Sequence, residues 1–270
     1  MKNDTQYAFR CMDLPLARLE KPRDTGLNWA IDWGWDTDRA RGMLESCGQH
    51  IDLVKMPALS VRLQDRDRLA ERLSLYAQHG VRVFPGGMLT EAAHVLGVVD
   101  EMLAEAKEIG ISVVEVSESE EILDFDVKLS LIRKATEKGF LVLAEHGPHQ
   151  AVDPFERDET IEACRAYLDA GAWKIILEGE VLNLMEPWEG GKGEADVIAI
   201  VDAAGVDNVF FEMMGKLDLV TWAILHYGPN VNIGNCGHDQ AGIMRVEHMR
   251  RGIRGGPLWY GRIKEQEDRG

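Results

Sequence analysis

Cysteine is scarce in this chain. Cys11, Cys47, Cys164 and Cys236 are the only four in 270 residues, and none falls in a Cys-x-x-Cys spacing. Cysteines so far apart are expected to be reduced thiols in a cytoplasmic protein. Positive charge is also short, with 30 Lys and Arg against 46 Asp and Glu and a formal net charge of −16. Nucleic acid and anionic membrane, which both select a basic patch, are therefore excluded as main partners. A small anionic substrate would have to be held by a few local cations or by a metal, because the overall field repels it. No apolar run approaches membrane-spanning length, and residues 1–13 lack the apolar stretch of a signal peptide. Low-complexity tracts, long linkers and tandem copies are missing too. One domain over residues 1–270, with a short polar lead of about 1–26, is expected.

What the chain does have is a repeated phrase. In Phe140-Leu-Val-Leu-Ala-Glu145-His146-Gly-Pro-His149, an apolar run ends abruptly in a carboxylate and an imidazole. A run of this kind after Gly139 predicts a strand buried on both faces, as in a parallel sheet. Similar runs occur at Leu27–Ile31, Ile51–Lys55, Val81–Phe84, Ile111–Ser117, Trp173–Glu178, Asn208–Glu212 and Asn230–Ile233. Between them lie segments of helical period, with Leu69, Leu73 and Tyr76 on one face. Leu96, Val99, Leu103 and Ala106 share another, and Ile161, Cys164 and Leu168 a third. Most such segments end in a glycine before the next strand: Gly48, Gly80, Gly110, Gly139, Gly171, Gly205 and Gly228. Strand, helix, glycine, strand at roughly 30-residue spacing is the grammar of βα units. About eight units favour a single (β/α)8 TIM-type barrel over a doubly wound sheet, since no Gly-x-Gly-x-x-Gly turn follows the first strand.

In such a barrel the strand C-termini converge on one mouth. Asp32, Lys55, Glu115, Glu145, His146, Glu178, Glu212 and Asn232 or Asn235 would gather there. Several carboxylates in one mouth stay ionised only if a cation shares the site. Glu115, Glu145, Glu178 and Glu212 are thus candidate ligands for Mg²⁺, with Mn²⁺ or another divalent ion as alternatives. Lys55 ends an apolar strand, where an ammonium must be paired; it could donate a proton, bind a carboxylate or form a Schiff base. Pro85-Gly86-Gly87 could bring backbone N–H groups close to an anion. His146 and His149, with Cys236 and His238, offer softer ligands, and one of Arg250, Arg251 and Arg254 could reach the mouth and grip an anion.

Taken in order, these motifs resemble the phosphosulfolactate synthase (ComA) family over most of the chain. The matching segments are Lys21-Pro-Arg23 with Thr25-Gly26, Ile51-Asp-Leu-Val-Lys55, Pro85-Gly-Gly-Met-Leu-Thr-Glu91 and Val114-Glu-Val-Ser117. Leu143-Ala-Glu-His-Gly147, Asp169-Ala-Gly-Ala172, Glu178, Phe211-Glu212 with Lys216, Val231-Asn232 with Asn235, and Arg250 to Gly255 complete the set. The resemblance implies a barrel and a Mg²⁺-dependent lyase that adds sulfite to phosphoenolpyruvate. It implies Lys55, Glu145 and His146 as catalytic groups, and Gly86, Gly87, Lys216, Asn235 and Arg254 as substrate contacts. A homo-oligomer acting on a small carboxylate is expected.

Several anion-gripping segments depart from the family pattern. Met56-Pro-Ala-Leu-Ser-Val61, Glu180-Val-Leu-Asn183, Met213-Met214 and Arg254-Gly-Gly-Pro257 stand where the family has small donors or cations. With Trp188, the apolar residues of these loops predict a pocket with one dry wall. That leaves open a lyase, aldolase-like enzyme or hydratase working through a metal-stabilised enolate on a less charged substrate. A barrel that has lost catalysis and serves as a stress-associated binding protein is the third possibility.

Overall fold

The computed structural model describes residues 8–9, 18–117, 122–148, 151–189, 192–213, 215 and 217–252. Lys216, Arg254, His149, Met214 and Cys11, singled out above, lie outside them. Strands and helices alternate through the described residues. They run β1 (Trp29–Ile31), α1 (Thr37–Cys47), β2 (Leu53–Met56), α2 (Arg66–Gln78), β3 (Arg82–Pro85), α3 (Met88–Leu96) and α4 (Val99–Glu108). There follow β4 (Val113–Val116), α5 (Phe125–Glu137), β5 (Leu141–His146), α6 (Arg157–Asp169), β6 (Lys174–Leu177), α7 (Gly179–Met185) and α8 (Lys192–Ala204). The last are β7 (Val209–Glu212), α9 (Leu217–Tyr227), β8 (Asn232–Gly234) and α10 (Gln240–Arg250).

Every strand pair is parallel, in the order β1-β2-β3 and β4-β5-β6-β7-β8. The ring closes between β8 and β1, where Ile233 N donates to Leu27 O at 2.9 Å and Cys236 N to Trp29 O at 3.0 Å. Between β3 and β4 the backbone ladder lapses, and the start of α3 supplies donors instead. Thr90 Oγ1 donates to the Glu115 carbonyl at 2.8 Å and Gly87 N to its carboxylate at 2.7 Å. The fold is the (β/α)8 barrel.

Alternation along each strand divides the apolar residues into two cores. Leu27, Trp29, Leu53, Phe84, Val113, Leu143, Ile176 and Phe210 point inward and fill the lumen. Ala30, Val54, Val114, Val142, Ile175 and Phe211 point outward onto the helices. Burial on both sides, worth about 1.5–3 kcal/mol for each large aliphatic or aromatic side chain, is why the strands read as unbroken apolar runs. The helical faces are also seen, with one change. Leu96 does not continue the face of Val99, Leu103 and Ala106, because Gly97 (φ +71°) ends α3 and leaves Leu96 73% exposed. Gly80, Gly110, Gly139, Gly171, Gly205 and Gly228 take positive φ, whereas Gly48 stays helical.

The strand N-termini rest on a charged base. Lys21 Nζ donates to the carbonyls of Ile51, Gly48 and His79, and Arg23 pairs with Asp52 at 2.8 Å. Arg18 pairs with Glu247 at 3.1 Å, and buried Arg250 donates to Val231 O and Asn28 Oδ1. Lys21-Pro-Arg23 and Arg250 thus secure the end of the barrel away from the glutamates. Arg250 is not an anion grip. His50, 3.6 Å from Glu247, is held by burial at a pKa of about 4, against the attraction of Glu247. Burial would raise Glu247, but Arg18 and Arg250 outweigh it and hold the acid at about 2.

Acid should therefore unfold the protein in two stages. Below pH 6.5 the unfolded chain takes up a proton on His50 that the folded chain refuses, so this group's contribution to stability falls until about pH 4. Glu247 contributes stability that is present above its ordinary 4.5 and is lost as pH falls toward 2. The His50 stage is worth about 3 kcal/mol. Urea unfolding followed from pH 7 to 4 should show the natural chain losing stability relative to His50→Gln by about that amount, most of it between pH 6.5 and 4.

Candidate active site at the barrel mouth

The inward parity that fills the lumen continues one step beyond it. Leu53 is followed on its face by Lys55, Val113 by Glu115, Leu143 by Glu145, Ile176 by Glu178 and Phe210 by Glu212. Each polar residue sits one layer above an apolar one, at the C-terminal end of its strand. All five are buried. Lys55 Nζ lies 3.1 Å from Glu115 Oε2, 3.3 Å from Glu212 Oε1 and 3.6 Å from Glu145 Oε2. It also stands 5.9 Å over the Trp29 ring. Burial opposes the ammonium, but Glu115, Glu212 and Glu145 together raise its pKa well above the usual 10.5.

The four acids are not equivalent. Glu212 is the best held: Lys55 and Asn235 Nδ2 (2.7 Å) donate to Oε1, and Gly179 N reaches Oε2 at 3.4 Å. Burial alone would raise its pKa; Lys55 and a hydrogen bond with Glu178 bring it below the ordinary value. Glu115 accepts from Gly87 N and faces Lys55, yet burial, with Glu212 adding repulsion, leaves its pKa raised. Glu145 has no hydrogen bond to either buried oxygen. Burial first, then repulsion by Glu115, pushes its pKa well above the usual 4.5 despite Lys55. Among the described residues one ammonium, Lys55, pairs with three of these four carboxylates, so their negative charge exceeds its own if all ionise.

A divalent cation fits this set. One oxygen each from Glu145, Glu178 and Glu212 lies within 4.8 Å of the other two, and the donors are all hard carboxylates. The Glu145 oxygens, buried without a hydrogen bond and, among the described residues, reached only by Lys55 at 3.6 Å, are the observation that favours an ion, since a buried carboxylate short of hydrogen bonds is costly. Glu115, expected as a fourth ligand, lies outside this group of three; it faces Lys55 and accepts from Gly87 N.

Other expectations are corrected by strand parity. His146, adjacent to Glu145, faces the opposite side. Its Nδ1 meets Tyr167 Oη at 3.3 Å, its Nε2 meets Thr160 Oγ1 at 3.2 Å, and its ring stacks on Phe155. It belongs to the β5–α6 packing and not to the cluster around Lys55. Asp32 likewise turns outward, accepting from Tyr76 Oη and pairing with Arg72 Nε at 3.0 Å. Gly87 N–H is donated to Glu115, so it is taken by a carboxylate of the mouth and not offered to an anion. The glycine is required there because a Cβ would stand 2.0 Å from Ser117 Oγ. A Cβ on Gly86 would meet Ala58 N at 2.8 Å, so this residue too permits a close approach of chains. The expected dry wall is absent from the described residues. Met56, Val181 and Leu182 are buried in the outer core, and Met213 and Trp188 pack against it.

The structure also adds residues. Lys128, fully buried on α5, donates to the Glu145 carbonyl and lies 4.5 Å over the Tyr167 ring. A lysine on the face shared by Leu131, Ile132 and Ala135 was the available signal. Ser117 Oγ donates to Glu91 at 2.6 Å, which accounts for the glutamate of the Pro-Gly-Gly segment.

Residues 17–256 match the family model described as (2R)-phospho-3-sulfolactate synthase (ComA). The chain belongs to this family. A phosphosulfolactate synthase of Methanothermobacter thermautotrophicus is 31% identical over 89% of this chain and 94% of its own length. One of Methanocaldococcus jannaschii is also 31% identical, over 85% of this chain and 92% of its own. The barrel is similar to the solved structure of KGPDC from Streptococcus mutans, with a TM-score of 0.53 at 13% identity. That match covers 82% of this chain and 93% of the other, and speaks for the fold alone. The ComA-type segments of this chain thus fall into two groups. Lys21-Pro-Arg23 and Arg250 brace the barrel base, while Lys55, the Pro85-Gly-Gly turn and the four glutamates build the mouth.

Proposed function

We propose that this ComA-family chain is a carbon–sulfur bond-forming lyase that adds sulfite to phosphoenolpyruvate, with a divalent cation held by Glu145, Glu178 and Glu212. The observation that carries the reading is Lys55 buried among carboxylates directly beside that acidic triad. Sulfite is already nucleophilic and needs no base. Its sulfur lone pair forms the C–S bond at the terminal carbon while the C=C electrons move toward the substrate carboxylate. Mg²⁺ or Mn²⁺ in the triad would stabilise that developing charge. Lys55 is kept as the ammonium at neutral pH, the state needed to deliver its proton to the adjacent carbon. The phosphate stays in place and the product is 2-phospho-3-sulfolactate. Glu115 and Glu212 orient Lys55, and the lumen below, closed by Trp29, Phe84 and Phe210, excludes water. The candidate cations for the phosphate and sulfonate are Lys216 and Arg254, which the family resemblance names. We further propose a cytoplasmic homo-oligomer, in keeping with Cys47, Cys164 and Cys236, which are buried as thiols and form no disulfide, and with exposed Leu63 and Leu96.

The test is sulfite-dependent consumption of phosphoenolpyruvate. Turnover is expected with Mg²⁺ or Mn²⁺, and a loss of about a hundredfold or more after chelation, reversed by added metal. Full activity after exhaustive chelation would refute the metal, and no sulfite-dependent consumption would refute the substrate pair.

A further inference from the structure

Asn235 was expected to touch substrate, yet the structure gives its amide a different task. Its Oδ1 accepts from the Trp29 indole Nε1 at 2.8 Å, and its Nδ2 donates to Glu212 Oε1 at 2.7 Å. An indole N–H can only donate. Trp29 therefore dictates which end of the amide faces it, and the NH₂ end is left for the carboxylate. The reverse orientation would set Oδ1 against Glu212, oxygen to oxygen. Trp29 lies on β1, Asn235 just after β8 and Glu212 at the end of β7, so the chain of hydrogen bonds crosses the seam where the barrel closes.

Two backbone features serve this chain. Asn235 takes φ +50°, a left-handed conformation that asparagine tolerates better than most residues. Gly234 lies flat under the indole; a Cβ there would stand 2.2 Å from Trp29 Cζ2. Glycine at 234 lets the ring lie along β8, and the turn at 235 brings the amide back to meet Nε1.

We infer that Trp29 and Asn235 are positioning residues that fix the Glu212 carboxylate for its ligand role, Trp29 acting by setting the orientation of the Asn235 amide. This rests on the metal reading of the acidic triad. Asn235 holds Glu212 Oε1 in place beside Lys55, and the indole prevents the amide from flipping. Outer hydrogen bonds of this kind commonly account for tenfold to hundredfold in metal affinity.

The experiment titrates Mn²⁺ alone into the natural chain, Trp29→Phe, Asn235→Ala and the double variant, and records the tryptophan indole N–H signals of each by NMR. Both single variants should bind Mn²⁺ about tenfold to hundredfold more weakly. The double variant should be no weaker than Asn235→Ala, because without the amide the indole has nothing to orient. In Asn235→Ala the Trp29 indole signal should move and exchange faster with solvent. Additive losses in the double variant, or unchanged affinity in the singles, would overturn the inference while leaving the metal site standing. If the natural chain bound no Mn²⁺, the metal reading would fall. The ligand role assigned to the two residues would fall with it, and the NMR result would show whether the hydrogen-bond chain itself persists. An unmoved indole signal in Asn235→Ala overturns the inference in either case.

Discussion

Lys55→Met is expected to lower the unfolding free energy by about 3–5 kcal/mol at pH 8 and to abolish turnover. The ammonium is the common partner of Glu115, Glu145 and Glu212, all within 3.6 Å. Methionine fills much of the same volume but leaves those carboxylates buried without a cation. The pH dependence carries the diagnosis. Lys55 itself has a folded pKa above its ordinary value, so its contribution is fully present below 10.5 and is lost only as pH rises through the higher folded value. Between pH 5 and 8 any change in the deficit must come from the glutamates. They can take up protons as pH falls, so the variant should recover much of its loss near pH 5. Lys55→Arg, which keeps the charge but is a poor proton donor, should restore part of the stability and none of the turnover. Urea unfolding at the two pH values decides the point. A deficit as large at pH 5 as at pH 8 would contradict the assigned role.

Glu145→Gln should move activity and stability in opposite directions. Loss of the oxygen proposed to ligate the metal should reduce turnover by about a hundredfold or more. The melting temperature should stay level or rise, with a gain on the order of 1 kcal/mol at neutral pH. The cause is the unsatisfied state of Glu145: both oxygens are buried without hydrogen bonds, and burial and repulsion by Glu115 raise its pKa. An acid with a raised folded pKa favours the fold below its unfolded value of about 4.5 and loses that advantage as pH rises through the window. The variant and the natural chain should therefore be equally stable near pH 4 and separate progressively toward pH 8. Calorimetry in metal-free buffer would show this. Adding Mg²⁺ or Mn²⁺ should reverse the order, because only the natural chain gains stability from the bound ion. A variant that melts well below the natural chain without metal would show Glu145 to be a structural ion-pair partner.

Much of this molecule was legible from local sequence because its information is periodic. Strands buried on both faces must be continuous apolar runs, and all eight strands are found within two residues of where those runs stand. Five of the residues that close those runs (Lys55, Glu115, Glu145, Glu178 and Glu212) do gather in one mouth. The reason is that parallel strands in register bring their ends together whatever their distance along the chain.

The side of the strand was not legible. Glu145 and His146 are neighbours in one apolar-to-polar transition, yet parity sends the first into the lumen and the second onto α6. Asp32 closes its strand as Glu212 does, but it meets Arg72 and Tyr76 outside the barrel. Which of two adjacent positions faces inward depends on the register of all eight strands, a property of the closed ring and not of any one segment. The roles of hydrogen-bonding groups were equally hidden. Gly87 spends its N–H on Glu115, and Asn235 divides its amide between Trp29 and Glu212. The apolar loop residues Val181, Leu182 and Met213 serve the core. Sequence determined which residues would reach the mouth region and the charge problem they pose there. Only the tertiary structure decided which of them share the problem, because hydrogen bonds and ion pairs act over about 3 Å, a distance set by packing across elements far apart in the chain.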